Sequence, residues 1–325
     1  MKIRLAASTV LILAFIPGAQ AQRPAAAEVN YPVRPIRMVV PQAPGGSNDI
    51  FARYIGSQLA ERVGSQVVVD NRPGAEGMIG SEIVARAAPD GYTMLMASTA
   101  FTMNPAVIKK LPYDPIKDFT FVATLGRGPV VITVGPSLPV NSIKELIALG
   151  KSKPNHITMA SAGGFMHFVS AMFRNQAGFE AVIALYKGGG PALTDVTGGH
   201  AHMAVATVPT LAPHLRVGKV KALAVGSAKR LSLMPELPTV SESGVPGYEA
   251  SIWWAWAATG GTPANVVNKL NVEIAEVLKR PDIIKRFTAE GAEVEVRTPA
   301  EIREMIKTDL VKWEKVAQDA KMPKQ

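Results

Sequence analysis

The chain has 325 residues, with 28 glycines, 25 prolines and no cysteine, which excludes disulfides, thiol nucleophiles and thiolate metal sites. Its formal charge is +9, yet the basic residues are scattered and few aromatics sit among them, so no nucleic-acid stacking platform is formed. What remains is a mildly basic, solvated surface suited to steering acidic small molecules.

In chain order, Lys2 and Arg4 precede a twelve-residue apolar run, Leu5 to Ile16, and Pro17-Gly18-Ala19-Gln20-Ala21 offers an A-x-A cleavage site. This is the pattern of a secretory signal peptide, residues 1–21, and predicts a periplasmic protein. The run falls short of the roughly 20 residues needed to span a bilayer. Removal of Lys2 and Arg4 lowers the formal charge from +9 to +7.

After a Pro/Ala-rich stretch, short β-branched runs alternate with amphipathic segments, which argues for α/β layers around mainly parallel sheets. Ile36 to Val40 reads as a strand, followed by PQAPGGSNDI, Pro41 to Ile50, with Ser47 or Asn48 placed to cap a helix over about 48–63. Further strands are expected at about 66–70, 92–97, 130–135, 157–160, 181–185, 203–206 and 221–225, and helices at about 79–87, 142–151, 168–177 and 192–197. Ser142-Ile-Lys-Glu145 and Thr298-Pro-Ala-Glu301 are capping boxes. Pro263 suits a first helical position, ahead of a stripe of Val267, Leu270, Ile274 and Leu278. SIWWAWAAT, Ser251 to Thr259, is apolar enough to pass between domains. The organisation predicted is a discontinuous first lobe, 28–126 with 252–325, and an inserted second lobe, 127–251.

Enzyme motifs fail on inspection. Gly150-Lys151-Ser152 imitates the end of a phosphate loop but closes a helix and has Glu145 where a glycine is required. Leu193 replaces the third glycine of a dinucleotide fingerprint begun at Gly188. His200 and His202, two apart, are read as facing one side, with no third metal ligand evident. Ser161 with His167 is the one pair from which a hydrolase could be built; neither catalysis nor a cofactor is expected.

Three strand, glycine-loop and helix units do recur: VVPQAPGGSNDIF, ITMASAGGFMHFV and VIALYKGGGPALTDV. Helix N-termini carry unpaired N–H groups and about half a positive charge, and glycine lets a ligand approach them. Each loop therefore suits a carboxylate without an arginine.

The segments YPVRPIRMVVPQAPGGSNDIFAR, VVVDNRPGAEGMIGSEIVARAAPDGYTMLMAS, NPAVIKKLPYDPIKDF, YKGGGPALTDVTGGHAHMAV, GKVKALAVGSAKR and PELPTVSESGVPGYEAS resemble the Bug family of extracytoplasmic solute receptors, the binding components of tripartite tricarboxylate transporters. The resemblance covers almost all of the chain beyond the leader. It implies a type II periplasmic-binding-protein fold, two α/β lobes with a ligand cleft between them, and a small organic carboxylate as ligand. It implies a monomer that delivers its ligand to membrane permease subunits; presentation of the closed form to a sensor kinase is the alternative.

Carried over by motif, the binding residues are Pro44, Gly45, Gly46, Asn48 and Asp49 in the first loop, Ser98 and Thr99 after the third strand, and Ser161, Gly163, Gly164 and His167 in the second loop. Tyr186, Lys187, Gly188 and Gly189 form the third loop, and Thr207 ends a later strand. Two departures bear on specificity. Phe165 and Met166 stand where the family usually has small polar residues, and Ala206 where it often has aspartate. The first predicts a less polar ligand than citrate or aspartate, an aromatic or aliphatic carboxylate; the second removes a carboxylate that could have met a ligand's amino group and makes amino acids poor candidates.

Overall fold

The computed structural model describes residues 30–231, 233–319 and 324; apart from Asn30 they lie in one body, 31–325. The signal peptide expected over residues 1–21 lies outside the described residues.

The first half begins with β1 (Ile36–Val40), α1 (Ser47–Val63) and β2 (Val67–Asn71), then a short 3-10 turn at Ala75–Gly77 leads into α2 (Met78–Ala85). β3 (Thr93–Ser98) and α3 (Thr99–Val107) follow, and then the long β4 (Phe119–Val134). The inserted part runs α4 (Ile143–Ser152), β5 (Ile157–Ser161), α5 (Gly164–Ala177), β6 (Ala181–Leu185), α6 (Gly189–Thr197), β7 (Met203–Thr207), α7 (Val208–Arg216) and β8 (Lys221–Val225). The chain returns through β9 (Ser251–Thr259) to α8 (Ala264–Leu278), α9 (Pro281–Ala289), β10 (Glu293–Val294) and α10 (Pro299–Asp319).

All ten strands join in one curled sheet with the order β2-β1-β3-β9-β4-β7-β5-β6, β8 and β10 also pairing with β4. Parallel pairs flank each side: β1 with β2 and β3, and β5 with β6 and β7. The middle is antiparallel, because β9 and β4 pass through it in opposite directions. Residues 119–129 of β4 pair with β9 and residues 130–134 with β7 and β8, so one strand serves both halves.

Each half has its own apolar core. One gathers Val39, Leu95, Phe101, Phe121, Trp253 and Ile306; the other gathers Val131, Ala160, Leu193, Val196, Leu211 and Val225. Two cores on a shared strand give the two-lobed α/β architecture its physical basis.

Several sequence expectations require correction. The strand expected to begin at Val130 begins at Phe119, so the lobe boundary expected at 126/127 falls inside β4, just after a register shift between Thr124 and Gly126. Helices α5 and α6 start earlier than expected, directly at their glycines, and α3, α7 and α9 were not anticipated. Pro263 is the residue before α8 and not its first. The second capping box forms as expected, Thr298 N donating to Glu301 Oε2 at 2.8 Å and Glu301 N to Thr298 Oγ1 at 3.3 Å. In the first, Glu145 N donates to Ser142 Oγ at 3.2 Å, while the Glu145 carboxylate accepts from Asn141 N one residue earlier.

Candidate functional site

β1, β3, β5, β6 and β7 are each followed by a helix whose N-terminus faces the space between the halves. The N-terminal residues of these helices, Gly46 and Ser47 of α1, Ser98 of α3, Gly163 of α5, Gly189 of α6 and Thr207 of α7, line one cavity. Counted out to its open mouth, it encloses about 480 Å3 of space free of atoms. Among the described residues no charged side chain lines it.

None of these five helices is capped by the side chain of its own N-cap residue. Ser47 and Asn48, expected to cap α1, do other work: Ser47 Oγ accepts from Trp254 Nε1 at 3.2 Å, and Asn48 Nδ2 donates to Gln42 Oε1 at 2.5 Å and Ser98 Oγ at 3.3 Å. Uncapped N–H groups from several helices, with hydroxyls among them, make a cavity electropositive by dipole and not by ions. Such a place binds anions.

The loop before α1 is held from behind. Asp49 is buried, its Oδ2 accepting from Gly45 N at 3.1 Å and its Oδ1 from Arg53 Nε at 2.9 Å and Asn71 Nδ2 at 3.0 Å. Its charge is spent bracing the loop. At Gly163 the backbone has φ +77 and ψ 178, a region open in practice to glycine alone, so this residue is required where the chain turns into α5.

Of the residues expected from sequence, Gly46, Asn48, Ser98, Gly163, Phe165, Gly189 and Thr207 line the cavity. Thr99 Oγ1 accepts from Trp253 N at 2.9 Å and so fastens α3 to β9. Pro44, Gly45 and Gly188 form the contact between the two glycine loops instead: Ala43 N donates to the carbonyl of Lys187 at 2.8 Å, and the Cα of Gly190 lies 3.3 Å from where a Cβ on Gly45 would stand. Gly164, Tyr186 and Lys187 line an adjoining cavity. The Tyr186 hydroxyl donates to Asp195 Oδ2 at 2.6 Å, which pushes its pKa up to about 12 and commits it away from a ligand.

Ser161 and His167 do not pair: Ser161 Oγ accepts from Gly163 N at 3.4 Å, and His167 Nδ1 is buried without a partner. His202 is not aligned with His200 on a strand; it lies in the bend before β7, accepts from Thr158 N at 3.0 Å, and its ring centroid is 5.4 Å from that of His156. Among the described residues no group of three or more His, Cys, Asp or Glu side chains is placed to hold a metal.

Phe165 and Met166 are buried and line the cavity as apolar wall, with Ala100 and Ile252 opposite. Phe165 is fixed edge-on against Trp313 of α10 at 5.5 Å between ring centroids. Sequence reasoning missed Gln42, Ser47, Ala100, Ala162, Thr210 and Ile252 as lining residues; of these Gln42, Ser47 and Ala162, inside the quoted first and second loops, sat where they could have been found.

A family model described as the tripartite tricarboxylate transporter family receptor matches residues 51–322. The protein BugT of Bordetella pertussis is 34% identical over 309 residues, 94% of each chain. A Rhodopseudomonas palustris protein solved with adipate superposes with a TM-score of 0.88 at 33% identity, covering 91% of this chain and 100% of that one. MatC from the same organism, with bound malate, gives 0.84 at 31% identity over 88% and 99%.

Proposed function

The chain belongs to the tripartite tricarboxylate transporter receptor family, and from that premise we propose that it is a periplasmic receptor that closes two lobes on a small organic carboxylate and delivers it to a membrane permease. The observation that carries this reading is the convergence of five helix N-termini on one cavity, those of α1, α3, α6 and α7 having no side-chain cap. A carboxylate there would accept from first-turn N–H groups and from the hydroxyls of Ser47, Ser98 and whichever of Thr207 and Thr210 accepts in the hydrogen bond between them. Gly46, Asn48, Gly163 and Gly189 complete that wall, while Pro44, Gly45, Asp49, Thr99 and Gly188 hold it in shape.

The lobes would be 28–126 with 252–325, and 127–251, joined through β4 and β9. A ligand touching both favours the closed arrangement by its extra contacts. Ala100, Phe165, Met166 and Ile252 would take the ligand's carbon chain. The adipate and malate of the two related structures support acids of this size. Export through residues 1–21 fits the reading, and no helix among the described residues is long and apolar enough to cross a membrane.

Calorimetric titration of the chain without residues 1–21 against short aliphatic and aromatic carboxylates, each beside its amide, tests the proposal. Binding of acids with silence from the amides is expected. Equal binding of an acid and its amide, or silence from every acid, would overturn it.

A further inference from the structure

One of the five helix N-termini is already occupied by a carboxylate of the protein itself. The N–H of Gly164, at the start of α5, donates to Oε2 of Glu76. The same oxygen lies 3.0 Å from where a Cβ on Gly163 would stand, and Gly163 lines the main cavity. Glu76 comes from the other half of the sheet, from the turn between β2 and α2. Its backbone is left-handed (φ 55, ψ 26), as is that of Ala75 (φ 46), a conformation that L side chains adopt at a cost and that persists only when the surroundings impose it. Asn104 imposes it here, Nδ2 donating to the Glu76 carbonyl at 3.1 Å.

Glu76 stands where the main cavity meets its neighbour. The second cavity is lined by Glu76, Gly163, Gly164, Tyr186 and Lys187, holds about 620 Å3 of empty space, and shares Gln42, Ala162 and Gly163 with the first. We propose, on the reading of the protein as a carboxylate receptor, that Glu76 is a specificity determinant which restricts the ligand to a single carboxylate. With α5 neutralised by Glu76, the recognised carboxylate falls to α1, α3, α6 and α7. A chain extending from there past Gly163 brings its far end toward the half-buried Glu76 carboxylate, and a second carboxylate there would be repelled by the like charge. Lys187, which lines the second cavity, is exposed and screened by solvent.

The test titrates equal-length pairs, butanoate with succinate, pentanoate with glutarate and hexanoate with adipate, into the wild type, Glu76→Gln and Glu76→Asp, with thermal melts to show that each variant is folded. The wild type is expected to bind the tightest monoacid at least about tenfold more strongly than its diacid partner. Glu76→Gln, which keeps an acceptor for the Gly164 N–H, should lower that ratio about tenfold, and Glu76→Asp should retain it. A wild-type preference for the diacid, or a ratio unchanged in Glu76→Gln, would overturn the assignment to Glu76 while leaving the receptor reading intact. Silence from all six acids in all three folded proteins would overturn this inference, and silence that extended to the aromatic acids of the wider panel would refute the receptor reading as well.

Discussion

Burial holds the imidazole of His167 below its ordinary value near 6.5, the Arg174 charge adding to the effect and the Glu76 charge opposing it. The folded protein thus binds a proton here less readily than the unfolded chain does. Above pH 6.5 neither state is protonated and the group contributes nothing; as the pH falls below 6.5 the unfolded state gains protons first and stability is lost. Melting curves of wild type and His167→Gln between pH 7.5 and 5 should diverge on the acid side, the wild type losing more, and parallel curves would show that the site is not desolvated as the geometry indicates. Thr207 offers a second residue test. Its hydroxyl lies 2.9 Å from that of Thr210, both side chains are buried, and both line the cavity. Thr207→Val keeps the shape but strands the Thr210 hydroxyl, so a loss of about 1 kcal/mol in stability and about tenfold in carboxylate affinity is expected by denaturation and calorimetry. A stable variant with unchanged affinity would remove Thr207 from the binding set. At this scale the sequence was informative where a residue type has one physical use, as with Gly163, and silent where use depends on the fold: Asp49 and Tyr186 are polar residues of the expected motifs whose groups are consumed by Arg53, Asn71 and Asp195.

Among helices, the absence of a side-chain cap does not by itself mark the site: α4 and α10 carry caps at Ser142 and Thr298, but α2, α8 and α9 lack one from their N-cap residues just as the five cavity helices do. What sets the five apart is that their N-termini line one cavity. Ser142→Ala and Thr298→Ala should each cost about 1 kcal/mol, read as a drop of a few degrees in melting temperature, with carboxylate affinity unchanged. An affinity loss in either variant would tie these caps to the site. Local signals decide which elements could be read from the chain. Capping boxes, alternating strands and glycine turns are local signals, and the elements bearing them were legible to within a few residues. α3 was not, because it is buried nearly all round and contains Pro105, leaving no polar face to set a period. α7 carries Pro209 and Pro213, which read as breakers, and the first part of β4 is interrupted by Gly126, Gly128 and Pro129. In each case tertiary packing satisfied a backbone that local propensity disfavours.

For the molecule as a whole, function on this reading depends on two glycine loops, one from each half, lying against each other across the cavity. A Cβ on Gly190 would overlap the carbonyl oxygen of Pro44 and stand 3.4 Å from the Cα of Gly45. Gly190 belongs to α6 and its φ lies outside the left-handed range, so alanine is acceptable locally, and in a helix it is the better residue. The clash therefore acts on the closed arrangement and not on either core. Gly190→Ala should fold with an unchanged or slightly raised melting temperature when no carboxylate is added, yet bind at least about tenfold more weakly, because the ligand must then work against a displaced closed state. Small-angle scattering gives the independent readout: added carboxylate should reduce the radius of gyration of the wild type and leave that of Gly190→Ala nearly unchanged. If the variant compacts and binds as the wild type does, contact between these loops is not what closure requires, and the coupling between halves must then run through β4, β9 and the packing of Phe165 and Phe168 on Trp313.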